Sequence, residues 1–388
     1  MAAAAARGFG VRRASTVSLA ATLLAACLAG LPVVAEERPE GITTPVTLAP
    51  FDPTAPVCSV PPGLSRSIGF AQDNNRDFMD GVSHGLEQAA RDRGLSYVAR
   101  VSDNDASRQA EDVELFRTQK LGAVISAPVD APSLAPHLQE LMWSGAYVGG
   151  VVPPPATTIL NAPQYLTGRT LGDAAAAHIR NVLGGKAKVV LLTHDSLQFL
   201  TPRFVAMRDA LKDMPEVEIV ADISPATVNE AGGYATMQLI LEAHADVDVV
   251  LGADTVVLGA LRALREAGRA RPEQFLGGID GEPAAVAEIE AGNGPYKASI
   301  ALSSPVFGYA LGVLAADWLE GKSVPQAMDI LPFALTRENI DEYEADQANP
   351  AAVYADAAKR SAYLRMYGNI CYDSRDQYLN FPWSSESR

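Results

Sequence analysis

The chain predicts an α/β protein of two similar lobes, each a parallel sheet flanked by helices. Three observations carry that expectation. A strand, a polar elbow and a helix follow one another over residues 67–94. The same unit then recurs in two series along the 388 residues. Glycines such as Gly94, Gly145 and Gly268 stand just past several helical patterns, where a C′ residue belongs. Strands separated by amphipathic helices demand right-handed crossovers, and two such series demand two sheets.

The elements follow in order. Residues 1–35 are expected to be an export signal. Arg7, Arg12 and Arg13 form its positive region, Ala14 to Leu31 is almost wholly apolar, and Val33 and Ala35 give a small-residue cleavage pattern before Glu36. This run is short and Ala-rich for a membrane anchor, and no other apolar run reaches ~18 residues. Leu24-Ala25-Ala26-Cys27 also resembles a bacterial lipobox, which would lipidate Cys27, although the eight positions after it stay apolar. Either route takes the mature chain out of the cytoplasm. Residues 36–65 form an arm, because Pro39, Pro45, Pro50, Pro53, Pro56, Pro61 and Pro62 forbid helix and discourage central strand.

From Arg66 the α/β rhythm begins. Apolar runs at 67–71, 96–101, 123–126 and 147–152 alternate with helical patterns at 77–93, 106–119 and 132–144. In the first of these helices Phe78, Val82 and Leu86 fall at helical spacing. The second series has runs at 188–192, 217–221, 247–251, 275–279 and 297–301. Its helices fall near 170–183, 201–212, 230–244, 256–267 and 283–291. A further helix is expected over 305–321 and a late strand over 328–332. The extension 346–388 is rich in Tyr, Asp and Asn, with a helical pattern over about 351–366. Cys58 and Cys371 sit in the two terminal extensions. In an oxidising compartment one such pair suggests a disulfide fastening tail to arm; the alternative is two unpaired buried thiols.

Composition narrows the function. Hydrophobic residues make up 48% and charged residues 20%, an ordinary globular balance, and the formal net charge is −15. Nucleic acid is therefore not an expected partner, since phosphate contacts need a basic surface. Catalytic constellations are missing as well. There is no G-x-S-x-G elbow and no G-x-G-x-x-G after a strand. Gly321-Lys322-Ser323 ends like a phosphate loop, but Ala316 stands where the leading Gly is required. The histidines at 84, 137, 178, 194 and 244 share no metal-ligand spacing. No enzyme activity, cofactor or metal is expected. Only His194-Asp195, at a strand end, would deserve a catalytic test.

The polar loops past the strand ends suit a ligand instead. Asp73, Asn74 and Asn75 offer donors and acceptors for paired hydroxyls, or else cap the helix that follows. Gln198, Phe199 and Arg203 surround a turn in the second series, and a planar guanidinium can grip two adjacent hydroxyls. Its helix first turn mildly disfavours a cation, which tilts Arg203 toward function. Asp280 ends a buried strand within GGIDGEPAAV, where an uncompensated carboxylate is costly and needs a partner. Phe199 offers a face for sugar C–H groups, whereas Phe78, Phe204 and Tyr234 sit at positions typical of cores.

These residues carry a resemblance. IGFAQDNN…DGVSHGLEQAARDRG, LGAVISAPVDAPSL, VVLGADTVVLGALRALREAG, FLGGIDGEPAAVAEIEAG and the closing ALTRENIDEY cover about Arg66 to Tyr343. That stretch resembles a type I periplasmic solute-binding protein of the ribose-binding group. The resemblance implies two lobes joined by three crossovers, near Leu166–Thr167, Leu302–Ser303 and Leu331–Pro332. Residues 66–166 with 303–331 would form one lobe, and 167–302 with 332–345 the other. It also implies that the first-loop Asn, Arg203 and Asp280 bind sugar hydroxyls.

Departures are visible too. The group's Asp-Arg pair after the fourth strand is replaced by Val152-Pro153, its Asn near the seventh strand by Ala253, and its hinge Gln by Leu302. The aromatic pair of its first loop is absent. The expected ligand is thus smaller, less hydroxylated or more apolar than ribose. Cytoplasmic repressors share this fold behind a helix-turn-helix, but a secretion signal stands in that place here.

The expectation is a periplasmic binding protein that captures a small sugar or polyol by hinge closure and delivers it to a membrane ABC permease. A sensor kinase or receptor as the reader of the closed form is the alternative. An enzyme using His194, Asp195 and Asp280 is the remaining rival.

Overall fold

The computed structural model describes residues 38–151, 155–194 and 198–386. The expected export signal with Cys27, the Val152-Pro153 departure and Asp195 lie outside those residues.

Each strand-to-helix unit builds the first sheet in turn. β1 (Ser65–Gln72), α1 (Asp77–Asp92), β2 (Ser96–Val101), α2 (Ala106–Thr118), β3 (Leu121–Ser126), α3 (Ala131–Trp143), β4 (Tyr147–Val151) and β5 (Thr158–Asn161) follow in order. β5 escaped the sequence pattern because four residues beside a triple proline give too short a period. The chain then enters the second sheet. α4 (Gln164–Asn181), β6 (Ala187–Leu192), α5 (Thr201–Leu211), β7 (Val217–Ile223), α6 (Glu230–Ala243), β8 (Val249–Leu251), α7 (Asp254–Glu266), β9 (Phe275–Asp280), α8 (Pro283–Ala291) and β10 (Tyr296–Ala301) complete it. The return runs through α9 (Ser304–Leu319) and β11 (Ala327–Ile330) in the first sheet to β12 (Phe333–Leu335) in the second. The single late strand expected over 328–332 is two strands, because Leu331-Pro332 carries the chain from one sheet to the other.

Beyond these lie α10 (Ile340–Ala348), α11 (Pro350–Ala355), α12 (Ala357–Tyr363) and β13 (Leu364–Tyr367). The helical pattern expected over 351–366 breaks at Asp356, whose side chain accepts from Ala358 N and Lys359 N to start α12. It ends when the chain pairs with β11.

The sheet orders are β13-β11-β5-β4-β3-β1-β2 and β12-β10-β9-β8-β6-β7. All neighbours are parallel except β11–β13 and β10–β12, so each sheet carries one antiparallel edge. The first crossing follows Asn161, ahead of the position expected at Leu166–Thr167. α4 already begins at Gln164, and its Leu171 and Ala175 lie in the core of the second sheet. Both sheets are apolar through their centres, as strands covered on two faces must be. In the first lobe α1 lies directly on α9, and a Cβ at Gly85 or Gly308 would run into the facing backbone.

Arm and tail are zipped together along the first sheet. Ile42 N donates to Tyr378 O at 2.8 Å and Asn380 N to Ile42 O at 3.0 Å. A disulfide joins Cys58 to Cys371, with Cα atoms 6.2 Å apart. Aromatic stacking also bridges the two cores. Phe333 stacks on Tyr343 of the second core and on Tyr363 of the first, at centroid distances of 5.9 and 5.6 Å. At the far end of the tail the Glu386 carboxylate accepts from Tyr165 N (3.0 Å) and Leu166 N (2.8 Å), capping an α4 whose Pro163 N-cap has no side chain to do so.

Candidate functional site

The residues just past the carboxyl ends of both sheets line one cleft of about 1100 Å³. From the first sheet come Asp73 to Phe78 after β1, Asn104 after β2 and Ala127 to Ala131 after β3. From the second come Thr193 and His194 after β6, the start of α5, Ala253 after β8 and Asp280 at the end of β9.

The first lip is a closed network. Asp73 Oδ1 accepts from Asn74 N at 2.8 Å, and its Oδ2 from Asn74 Nδ2 at 3.1 Å. The same Nδ2 reaches Asn104 Oδ1 at 3.1 Å, while Asn74 Oδ1 accepts from Arg76 N at 3.1 Å. Asp103 and Asn104 hold positive φ (53° and 63°), a conformation that Asp and Asn tolerate best among side chains with a Cβ. Beneath them, buried Gln72 donates to Asn74 O at 2.6 Å. Burial raises the Asp73 pKa, and the Arg76 guanidinium 3.7 Å away opposes that rise. Asn75 is exposed at the rim.

The second lip is built differently. Gln198–Leu200 form one 3₁₀ turn, whose residues step about 120° apart. Phe199, 52% exposed, thereby faces the cleft. Gln198 is exposed and is not among the residues lining the cleft. Arg203, in the first turn of α5, is only 7% exposed. A Cβ at Gly168 would strike its backbone carbonyl, so that glycine lets α5 press against α4. One helical turn earlier on α4, Gln164 Oε1 accepts from Arg203 Nε at 2.9 Å, and both residues line the cleft. Burial lowers the Arg203 pKa and the Asp280 carboxylate raises it back. Reciprocally, burial raises the Asp280 pKa, while Arg203 and then Arg76 lower it. Among the described residues no carboxylate lies within 4 Å of this guanidinium, so the pair couples through space.

Asp280 sits at φ 119°, strained for a side chain with a Cβ. Buried Asp254, the first residue of α7, holds that turn. Its Oδ2 accepts from Gly281 N (2.9 Å), Glu282 N (2.9 Å) and Ser299 Oγ (2.7 Å), and its Oδ1 from Tyr296 OH (2.7 Å). A Cβ at Gly278 would collide with this carboxylate. Burial raises Asp254 to about 6, with the donors opposing the rise. Glu282 borders both the cleft and a smaller cavity of about 470 Å³. Burial first, and then Asp280, Asp254 and Asp77, push it to about 7.

Sequence reasoning missed Asp254, Gln164 and Asn104. An Asp in a helix first turn looks like an ordinary dipole partner, and the amides lay outside the marked turns. Thr193 is also new, a buried cleft residue whose hydroxyl has no hydrogen-bond partner among the described residues. Phe78 and Phe204 line the cleft although their spacing suggested core alone. Tyr234 lies apart, bonded to Glu266 beneath the Arg262 guanidinium. His194 lines the cleft. Among the described residues no group of three His, Cys, Asp or Glu is arranged to hold a metal ion.

A family profile described as a periplasmic binding protein domain matches residues 68–323. The chain belongs to that family. The ribose import binding protein of Bacillus subtilis is 26% identical over 263 residues, 66% of this chain and 81% of that one. The xylitol-binding protein of Mycolicibacterium smegmatis is 25% identical over 286 residues, 71% of this chain and 79% of that one. Among solved structures, a solute-binding protein from Bacillus halodurans with bound myo-inositol has a TM-score of 0.63 at 20% identity, covering 73% of this chain and 99% of that one. The myo-inositol binding protein of Caulobacter gives 0.61 at 24% identity, covering 73% and 97%. At these identities the likeness is one of fold. This periplasmic binding protein thus has the two-lobe architecture its sequence predicts, with a cleft for a solute, and its family places it in the periplasm.

Proposed function

We propose that the protein captures a small sugar or polyol between its lobes and passes it unaltered to an ABC importer. One observation carries this reading. Arg203 and Asp280 are held in the cleft wall as opposite charges that do not neutralise each other by contact. A carboxylate accepts two hydroxyl hydrogens and a planar guanidinium donates to two oxygens, so adjacent hydroxyls satisfy both. Asp73, Asn74 and Asn75 meet the same solute from the opposite lobe, and Phe199 lies over its C–H face.

Hinge closure follows from those contacts. Water fills the open cleft, and only a solute that gains contacts from both lobes favours the closed form. The two sheets, each with its own helices, move as the two bodies, and residues 1–35 are removed on export. The named relatives are import proteins or binders of sugars and polyols, which favours a permease as reader and argues against turnover.

Thermal-shift and calorimetric titration against sugars and polyols tests the proposal. At least one of them should raise the melting temperature and come back unchanged from the denatured complex. No binder across the panel, or a converted solute whose conversion requires His194, would overturn it.

A further inference from the structure

The base of the cleft is made where the chain passes between the sheets, and each passage leaves an apolar residue there. Ala162, Leu302 and Ile330 line the cleft at 8, 5 and 5% exposure. Leu160 and Phe307, both fully buried, complete the same floor. Neighbouring polar groups are turned to protein partners. Asn161 Nδ2 donates to Asp329 Oδ1 at 2.7 Å, Ser303 Oγ accepts from Gln347 Nε2 at 2.7 Å, and Gln164 Oε1 is occupied by Arg203. Arg203 and Asp280 stand on one lip and Asp73 and Asn74 on the other, while the amides of Asn161 and Gln164 border the floor.

A hydroxyl seated directly on Leu302, Ile330 and Phe307 would lose its water to side chains that offer neither donor nor acceptor, leaving a buried polar group unpaired. A methyl group or a C–H edge would lose only water. We infer that the solute is a deoxy sugar, seated with its hydroxyls toward Arg203, Asp280 and the first loop and its deoxygenated edge on Leu302 and Ile330. This rests on the solute-binding reading above and specifies which solute that site takes. Leu302 then acts as a specificity residue, because it contacts the edge at which a deoxy sugar and its parent differ.

Calorimetric titration of the exported chain with three matched pairs tests this: L-fucose and L-galactose, L-rhamnose and L-mannose, 2-deoxy-D-ribose and D-ribose. In at least one pair the deoxy member should bind between about tenfold and a hundredfold tighter. Leu302→Gln, which places an amide on the floor, should bring the two members to within about threefold of each other. Ala253→Asn is the companion variant should Leu302→Gln not fold, and it should narrow the same gap. If the parent sugar binds as tightly as its deoxy partner in every pair, or only fully hydroxylated polyols bind, the inference fails while solute binding stands. Silence from all six sugars and from polyols would remove the reading beneath it as well.

Discussion

The two lips of the cleft solve different problems. On the first, Asp73, Asn74 and Asn104 answer one another through hydrogen bonds within and between the loops. On the second, Arg203 and Asp280 are withdrawn from water without touching, and a second carboxylate, Asp254, holds the strained turn at Asp280. The contrast teaches that one lip satisfies its polar groups by hydrogen bonds within its loops, whereas the other keeps two buried opposite charges apart. On the proposed reading those charges are where affinity is to be sought. A solute that completes the second lip gains charge-assisted bonds in a screened setting, which are roughly twice as strong as neutral ones.

The sharpest break in this comparison is Arg203→Ala. It should lower affinity for whichever solute the thermal screen identifies by about a hundredfold or more, with unchanged circular dichroism, since it removes the stronger of the two cations that act on buried Asp280. Asp254→Asn should come next. It keeps the side-chain volume but weakens four donated bonds, so affinity should fall about tenfold through misplacement of Asp280, with about 1–3 kcal/mol lost in urea unfolding. If affinity is unchanged while stability drops, Asp254 supports the fold alone.

A third effect is pH-linked. Glu282 holds its proton more tightly folded than unfolded, so its contribution to stability is complete below the ordinary carboxylate range and is lost as the pH rises through about 7. Melting temperature should therefore decline between about pH 5 and 7.5, and Glu282→Gln should flatten that decline. The smallest change is expected on the first lip, where Asn74→Ala should cost about threefold to tenfold in affinity. An Asn74→Ala loss as large as that of Arg203→Ala would erase the distinction between the lips.

Much of this was legible in advance, for identifiable reasons. Long parallel strands with covered faces and helices of clear period announce themselves, and the polar residues past their ends stood out against apolar neighbours. Arg203 and Asp280 were visible because a first-turn cation and a strand-end acid each go against a local preference. Asp254 was invisible because it goes along with one. Gln198 and Phe199 could not be told apart in the sequence, because a 3₁₀ turn sends adjacent side chains in different directions. β5 and β13 were lost because pairing across the chain, rather than local pattern, makes four residues into a strand.

The aromatic ladder of Tyr343, Phe333 and Tyr363 has a mechanical consequence. It ties the halves together beside the third crossing, and Tyr363 belongs to the tail that is bolted covalently to the arm. Swinging the halves widely apart would have to unstack those rings, so this molecule should have a short stroke: a narrow gape, quick to shut, with less of each binding event spent on travel.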